Sequence, residues 1–324
     1  TVRVDLTGLD SPWAKSATLK VEATSSARPN GAGPAIVAAI SGTELSGQGA
    51  DVSTFHTAFD GGLAANWRSA TGDLRLDATG IASPWAGAGS LRLQADLAGA
   101  TADGLPLGTL RLALNGAAAP QGAADRVFVT ATRGVGGMLY ADVRAVDAAT
   151  PQAVVGALRA RIAGILDQAT LRPSILSARA VALAAETQNL SMGSIELTLA
   201  GTKRQGTAPD RFAFKLDLAA EDTVGHTPDA PNQEIGPVTL NAEGMTDLSA
   251  MTMDLSAFRA RAGFARASGR LSANLEGAPR VAGTVTLNGT PPSALLGGLR
   301  ITDPSLDLTV DANMAGPDIR VQAT

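Results

Sequence analysis

The sequence predicts a mainly β fold. The expectation is a long, twisted antiparallel meander of repeated amphipathic strands, shaped as a taco-like groove or open barrel, with one amphipathic helix near 151–168. Three observations predict it: a period-two alternation of apolar and polar residues, turn-forming residues at short intervals, and an internal repeat.

The alternation comes first. Leu19/Val21/Ala23, Leu74/Leu76/Ala78, Leu91/Leu93/Ala95 and Leu110/Leu112/Leu114 place apolar side chains at every second position. So do Val127/Val129/Ala131, Ile195/Leu197/Leu199, Phe212/Phe214/Leu216/Leu218, Val238/Leu240/Ala242, Leu271/Ala273/Leu275, Val285/Leu287 and Leu306/Leu308/Val310. Most residues between them are charged, hydroxylated or amidic. Successive side chains of a strand point to opposite faces, so each segment has one dry and one wet face. Antiparallel sheets covered on one side carry this pattern.

Turn chemistry supports the same reading. Arg28-Pro29-Asn30-Gly31, Asp60-Gly61-Gly62, Asn115-Gly116, Glu276-Gly277-Ala278-Pro279 and Asn288-Gly289 separate the runs. They supply the positive or fixed φ that tight connections need. Gly134-Val135-Gly136-Gly137 lacks a following helix and a phosphate-binding lysine, and is expected to be a hairpin turn before a strand at 139–143.

The repeat is Gly8-Leu9-Asp10-Ser11-Pro12-Trp13-Ala14 and, 72 positions later, Gly80-Ile81-Ala82-Ser83-Pro84-Trp85-Ala86. Each copy precedes an alternating strand. Repeats of this size imply units stacked in one direction. Residues 1–122 form the expected β-repeat region. Residues 123–324 form a second β-rich region, or continue the first.

The helix expectation rests on Thr150 as N-cap, Pro151 in the first turn, and Val154, Leu158, Ile162 and Ile165/Leu166 on one face. A shorter helical turn is expected over 292–299. Residues 178–187 fit helix or strand. Residues 221–233 read as a polar loop.

Composition narrows the function. A net charge of −4 and pI near 5.3 give nucleic acid no basic surface. The absence of cysteine excludes disulfides and thiolate chemistry. The two histidines, His56 and His226, stand in no metal-ligand spacing, and there is no Gly-x-Ser-x-Gly elbow. His226 is expected to be solvated, and a Ser-His-Asp arrangement at His56 would need a placed serine. No catalytic residue, metal site or cofactor is predicted. Arg159 and Arg161 read as surface charges, or as contacts for lipid phosphate. Trp13 and Trp85 read as structural corners of the sheet edge, or as interfacial rings.

Several segments resemble one family. The Ser-Pro-Trp-Ala motif before a Leu-x-Leu strand resembles repeats of alphaproteobacterial AsmA-like envelope proteins, the group that includes TamB, YdbH and YhdP. So do Gly-Asp-Leu-Arg-Leu-Asp-Ala-Thr-Gly at 72–80, Leu-Arg-Leu-Ala-Leu-Asn-Gly at 110–116, Ala-Ser-Gly-Arg-Leu-Ser-Ala-Asn-Leu-Glu-Gly at 267–277 and Val-Ala-Gly-Thr-Val-Thr-Leu-Asn-Gly at 281–289. The resemblance implies a periplasmic, non-enzymatic segment of a protein anchored in the inner membrane. Its groove would shield phospholipid acyl chains in transport between the two membranes. The alternative is an assembly scaffold for outer-membrane proteins, without lipid transport. The chain opens and closes inside strand-like runs, so its anchor is expected outside this segment. Leu74, Leu76, Leu91, Leu93, Leu110, Leu112 and Leu114 are the candidate groove lining, with a closed core as their other reading.

Overall fold

The computed structural model describes the chain except residues 12–13, 29–32, 48, 65–68, 101–105, 121, 152, 167–172, 204–210, 228–229, 248, 264, 275–279, 290–304, 314–318 and 324. The described residues form 21 strands, and their one helical piece is a three-residue 3-10 turn at Val135–Gly137. Contacts divide the chain into two units: Thr1–Ala163, and Arg172–Thr324 together with Gly164–Leu166.

The first unit contains β1 (Val2–Asp10), β2 (Ala14–Ser26), β3 (Ala35–Gly47), β4 (Ala50–Leu63), β5 (Ala70–Ala82), β6 (Gly87–Ala100), β7 (Pro106–Ala119), β8 (Gly122–Arg133), β9 (Met138–Ala149) and most of β10 (Ala153–Leu166). From β1 to β9 each strand pairs antiparallel with the next, and β10 pairs with β9. The meander stays open, because β1 has β2 as its one partner among the described pairings.

Register converts the alternation into continuous surfaces. Val4, Val21, Ile40, Thr57, Leu76, Leu93, Leu112, Val129 and Val143 stand opposite one another in turn across nine strands. A parallel row runs Leu6, Leu19, Gly42, Phe55, Ala78, Leu91, Leu114, Val127, Ala145, and a third runs Val2, Ala23, Ala38, Phe59, Leu74, Ala95, Leu110, Ala131, Ala141. A one-residue slip in any strand would send its leucines to the wet face, so the pattern itself fixes the register. On the wet face Thr7, Thr18, Thr43, Thr54, Thr79, Ser90 and Asn115 form a polar row. Hydrogen bonds stitch it: Thr18 to Thr43 at 2.8 Å, Thr54 to Thr79 at 2.6 Å, and Asn115 Nδ2 donating to Ser90 Oγ at 2.8 Å.

The second unit holds β11 (Pro173–Thr187), β12 (Leu190–Lys203), β13 (Arg211–Glu221), β14 (Val224–Thr227), β15 (Ala230–Glu234), β16 (Val238–Asp247), β17 (Thr252–Ala262), β18 (Ala265–Asn274), β19 (Arg280–Gly289), β20 (Ser305–Asn313) and β21 (Ile319–Ala323). It is again antiparallel, and Ala178, Leu199, Leu216, Ala242, Phe258, Gly269 and Val285 align across it. Residues 178–187 are strand. The segment read as a polar loop at 221–233 carries the short hairpin β14–β15, inserted between β13 and β16. The turn expected over 292–299 lies outside the described residues.

The predicted helix at 151–168 is strand β10. Residues spaced by four share a helix face, but they also share a strand face. Val154, Leu158 and Ile162 satisfy both periods, and Gly156 and Ala160 stand between them on the same face of β10. The supposed N-cap is a hairpin turn. Thr150 N donates to Ala153 O at 2.7 Å, and Thr150 Oγ1 accepts from Ala153 N at 3.0 Å. Ser11 and Ser83 build the same turn: Ser11 Oγ accepts from Ala14 N at 3.0 Å and Ser83 Oγ accepts from Ala86 N at 3.0 Å. Thr187 does so again with Leu190 N at 3.0 Å. Thr-Pro-Gln-Ala is thus a further copy of Ser-Pro-Trp-Ala.

These turns expose a shorter repeat than the motif alone suggests. Residues 8, 44, 80 and 116, each 36 positions after the last, all have positive φ (65, 52, 58 and 59°). Each lies three positions before a turn, as do Asp147 (φ 51°) and Ala184 (φ 52°). The unit is one hairpin with a left-handed kink at a fixed place, and 72 residues are two such units. Glycine is the residue suited to this conformation. Ala184→Gly is therefore expected to stabilise the protein by about 1 kcal/mol, read as an increased urea midpoint.

Candidate functional site

The dry face is the candidate site. All seven leucines named from sequence fall on it in the first unit. Leu76, Leu93 and Leu112 share one row, Leu91 and Leu114 the second, Leu74 and Leu110 the third. Every one is half-buried. Among the described residues the fully buried apolar side chains are alanines plus Phe212 and Phe258, with no leucine, isoleucine or valine. Leucines at the centre of a closed core would be fully buried.

Glycines keep this face low. Gly42 stands opposite Phe55, Gly244 opposite Phe214 and Gly269 opposite Phe258. A Cβ on these glycines would lie 2.7, 3.0 and 3.0 Å from the facing ring. Each phenyl ring therefore lies over a glycine backbone. Gly108 does the same for a hollow. A depression of about 320 Å³ opens beside it, lined by Leu97, Leu107, Leu110, Arg133 and Leu139 among others. Sequence reading named only Leu110 among these as lining, and the glycines it read as separators at 61–62, 116 and 289 lie inside β4, β7 and β19.

The wet face carries charge networks. Asp142 on β9 accepts from Arg159 Nη2 at 2.7 Å, Arg144 Nε at 2.8 Å and Arg161 Nε at 3.3 Å. Residues two apart lie on opposite sides of a helix, so only a strand lets Arg159 and Arg161 reach one carboxylate. Hydrogen bonding from Arg159, helped by Arg144, lowers the Asp142 pKa to about 2. Asp247 is also lowered to about 2, chiefly by the Ser249 hydroxyl and then by Arg211. A carboxyl depressed in the folded state stabilises above its unfolded pKa of about 3.9 and loses that contribution as pH falls toward 2. With its arginine partners about half exposed, Asp142 is expected to contribute about 1 kcal/mol after solvent screening. Urea titrations should show Asp142→Asn removing that share of the stability lost between pH 4 and 2.

Other candidates are placed as follows. His56 lies between Ser41 and Asp77 across neighbouring strands. Asp77 accepts from Arg92 Nε at 2.8 Å, no described hydrogen bond joins Ser41, His56 and Asp77, and the surrounding strand N–H groups are engaged in the ladder. An oxyanion would find no free donor pair there. His226, expected in solvent, is half-buried in β14, with Nε2 3.0 Å from Ser191 Oγ. No group of three described His, Asp or Glu side chains forms a metal-binding cluster. Trp85 is 72% exposed at its turn, with its ring edge over Gly49 of the neighbouring turn. Trp13 lies outside the described residues.

Fold and face define an open, amphipathic antiparallel β-meander protein. No family model, curated protein or solved structure matches the chain.

Proposed function

We propose that the dry face shelters phospholipid acyl chains, and that this chain serves as the periplasmic part of an AsmA/TamB-like envelope protein, anchored in the inner membrane, that moves lipid between the two membranes. One observation carries the reading: three rows, apolar except for Thr57 and Gly42, cross nine strands, and the seven candidate leucines within them are half-buried. An exposed apolar surface of this extent marks an interaction site.

The energetics suit transit. Complete burial of a sixteen-carbon chain is worth on the order of 10 kcal/mol, from about 0.8 kcal/mol per CH₂. A chain lying on one open face loses water on one side and gains about half of that. Near-identical rows then offer successive positions of similar energy, so a lipid can step along without a deep trap. No enzymatic step is part of this function.

Detergent-free purification followed by lipid extraction and mass spectrometry tests the proposal. Phospholipid in stoichiometric amounts is expected. A lipid-free protein that also takes up no added phospholipid would overturn it, and would leave the outer-membrane assembly scaffold as the reading.

A further inference from the structure

We infer that the opposite, wet face of β7–β10 is a docking surface for an anionic phospholipid bilayer. The inference uses residues that the acyl-chain reading does not and stands independently of it.

The surface is built by register. Arg111 on β7 stands opposite Thr130 on β8, which stands opposite Asp142 on β9. Phe128 is opposite Arg144, Thr132 opposite Tyr140, and Arg126 opposite Val146. Arg159 and Arg161 of β10 join through Asp142. The patch thus carries five guanidiniums, three of them bonded to Asp142, in a chain whose net charge is −4. Among the described residues the nearest further carboxylates are Asp96, diagonal to Arg111 across β6–β7, and Asp125 and Asp147, beyond Arg126 at the kink. An acidic row, Asp60, Asp73 and Asp96, runs side by side across β4–β6 and ends next to β7, so the basic patch is bounded on that side by carboxylates.

Two further features point to a bilayer. Phe128 and Tyr140 are each 43% exposed amid the arginines, although alternation reserves this face for polar residues. Aromatic rings beside cations suit the headgroup boundary of a membrane. Asp142 uses only part of each planar guanidinium fork. Its three partners retain side-chain exposures of 56, 42 and 52% for Arg144, Arg159 and Arg161. The carboxylate holds the three long side chains together and leaves positive charge facing outward, so less side-chain entropy is lost when phosphates arrive. An anionic leaflet supplies both the spread of negative charge and the apolar boundary that the rings need.

Co-sedimentation with vesicles at about 0.15 M salt tests this. The chain is expected to bind phosphatidylglycerol-containing vesicles and not phosphatidylcholine vesicles. The double variant Arg159→Gln/Arg161→Gln should weaken binding on the order of 10-fold, while far-ultraviolet circular dichroism stays unchanged. Arg75→Gln/Arg92→Gln removes the same charge from β5–β6 and should change binding less than about 2-fold. Phe128→Ala, which alters no charge, should weaken binding measurably. The inference is overturned if wild type ignores anionic vesicles, if the β5–β6 pair loses as much, or if a single-stranded oligonucleotide binds more tightly than the vesicles. If Arg159→Gln/Arg161→Gln does not fold, Phe128→Ala and the β5–β6 pair decide the question. Acyl-chain extraction from the same preparations reads the dry face separately, so either proposal can fail alone.

Discussion

Gly108→Val is expected to lower stability by at least about 3 kcal/mol, the largest effect of any single substitution proposed for the first unit. Two causes combine. Gly108 has φ 137°, a conformation that β-branched side chains strongly avoid. Its Cβ would also run into the backbone carbonyl oxygen of Asp96 on β6, a paired ladder group that cannot move aside. Gly72, with φ 127°, meets Asp60 O in the same way, so close backbone approach recurs along the sheet. Gly99 separates the two causes. Its φ is 110° and nothing lies within 4 Å of its Cβ position, so Gly99→Ala should cost about 1–2 kcal/mol from backbone strain alone. All three tryptophans, at 13, 67 and 85, belong to the first unit, so fluorescence-monitored urea unfolding reports on it directly. Equal losses for the two variants would show that the collision with β6 contributes nothing. A surviving Gly108→Val protein should also lose the hollow lined by Leu97, Leu107 and Leu139.

What sequence made legible, and what it concealed, follows from the two periods involved. Alternation identified the strands and placed all seven leucines on one face, because a period of two admits no other common side. At β10 it was overridden by a four-residue spacing, which any even-numbered set of strand positions also satisfies. Arg159 and Arg161 held the deciding signal: two arginines two residues apart on the wet side fit a strand, whereas a helix would have split them. Thr150-Pro151-Gln152-Ala153 held a second, since it repeats Ser11-Pro12-Trp13-Ala14 with a hydroxyl in the same place. A hydroxyl that accepts from the N–H three residues on serves a helix start and a hairpin turn equally, so the local chemistry alone could not separate them.

Glycine was the other ambiguity. Gly42, Gly108, Gly244 and Gly269 lie inside strands, where they admit a phenyl ring or a neighbouring backbone, and composition cannot distinguish them from turn glycines. The 36-residue hairpin unit was hidden for a related reason. Glu44 occupies the kink that Gly8, Gly80 and Gly116 mark elsewhere, and Gly47-Gln48-Gly49-Ala50 replaces Ser-Pro-Trp-Ala, so only every second unit showed its motif.

Leu93→Glu should separate an open dry face from a covered one by two independent readouts. Leu93 stands at the middle of the first unit, between Leu76 and Leu112 in its row. An unpaired carboxylate locked into a closed core costs several kcal/mol and would unfold a marginal protein. On a half-buried face the glutamate reaches water, and the expected loss is about 1–2 kcal/mol, mainly the transfer energy of the missing leucine. Acyl chains meet a different obstacle, because a hydrated charge in the central row interrupts the apolar face midway between its two flanking rows. Bound phospholipid in detergent-free preparations is therefore expected to fall at least about 5-fold while the protein stays folded. Gln94→Glu, the adjacent position on the wet face, adds the same charge and should leave both stability and lipid content unchanged. A folded Leu93→Glu protein retaining its full complement of lipid would mean that the leucine rows do not carry acyl chains. A loss above about 4 kcal/mol would mean that they are a core.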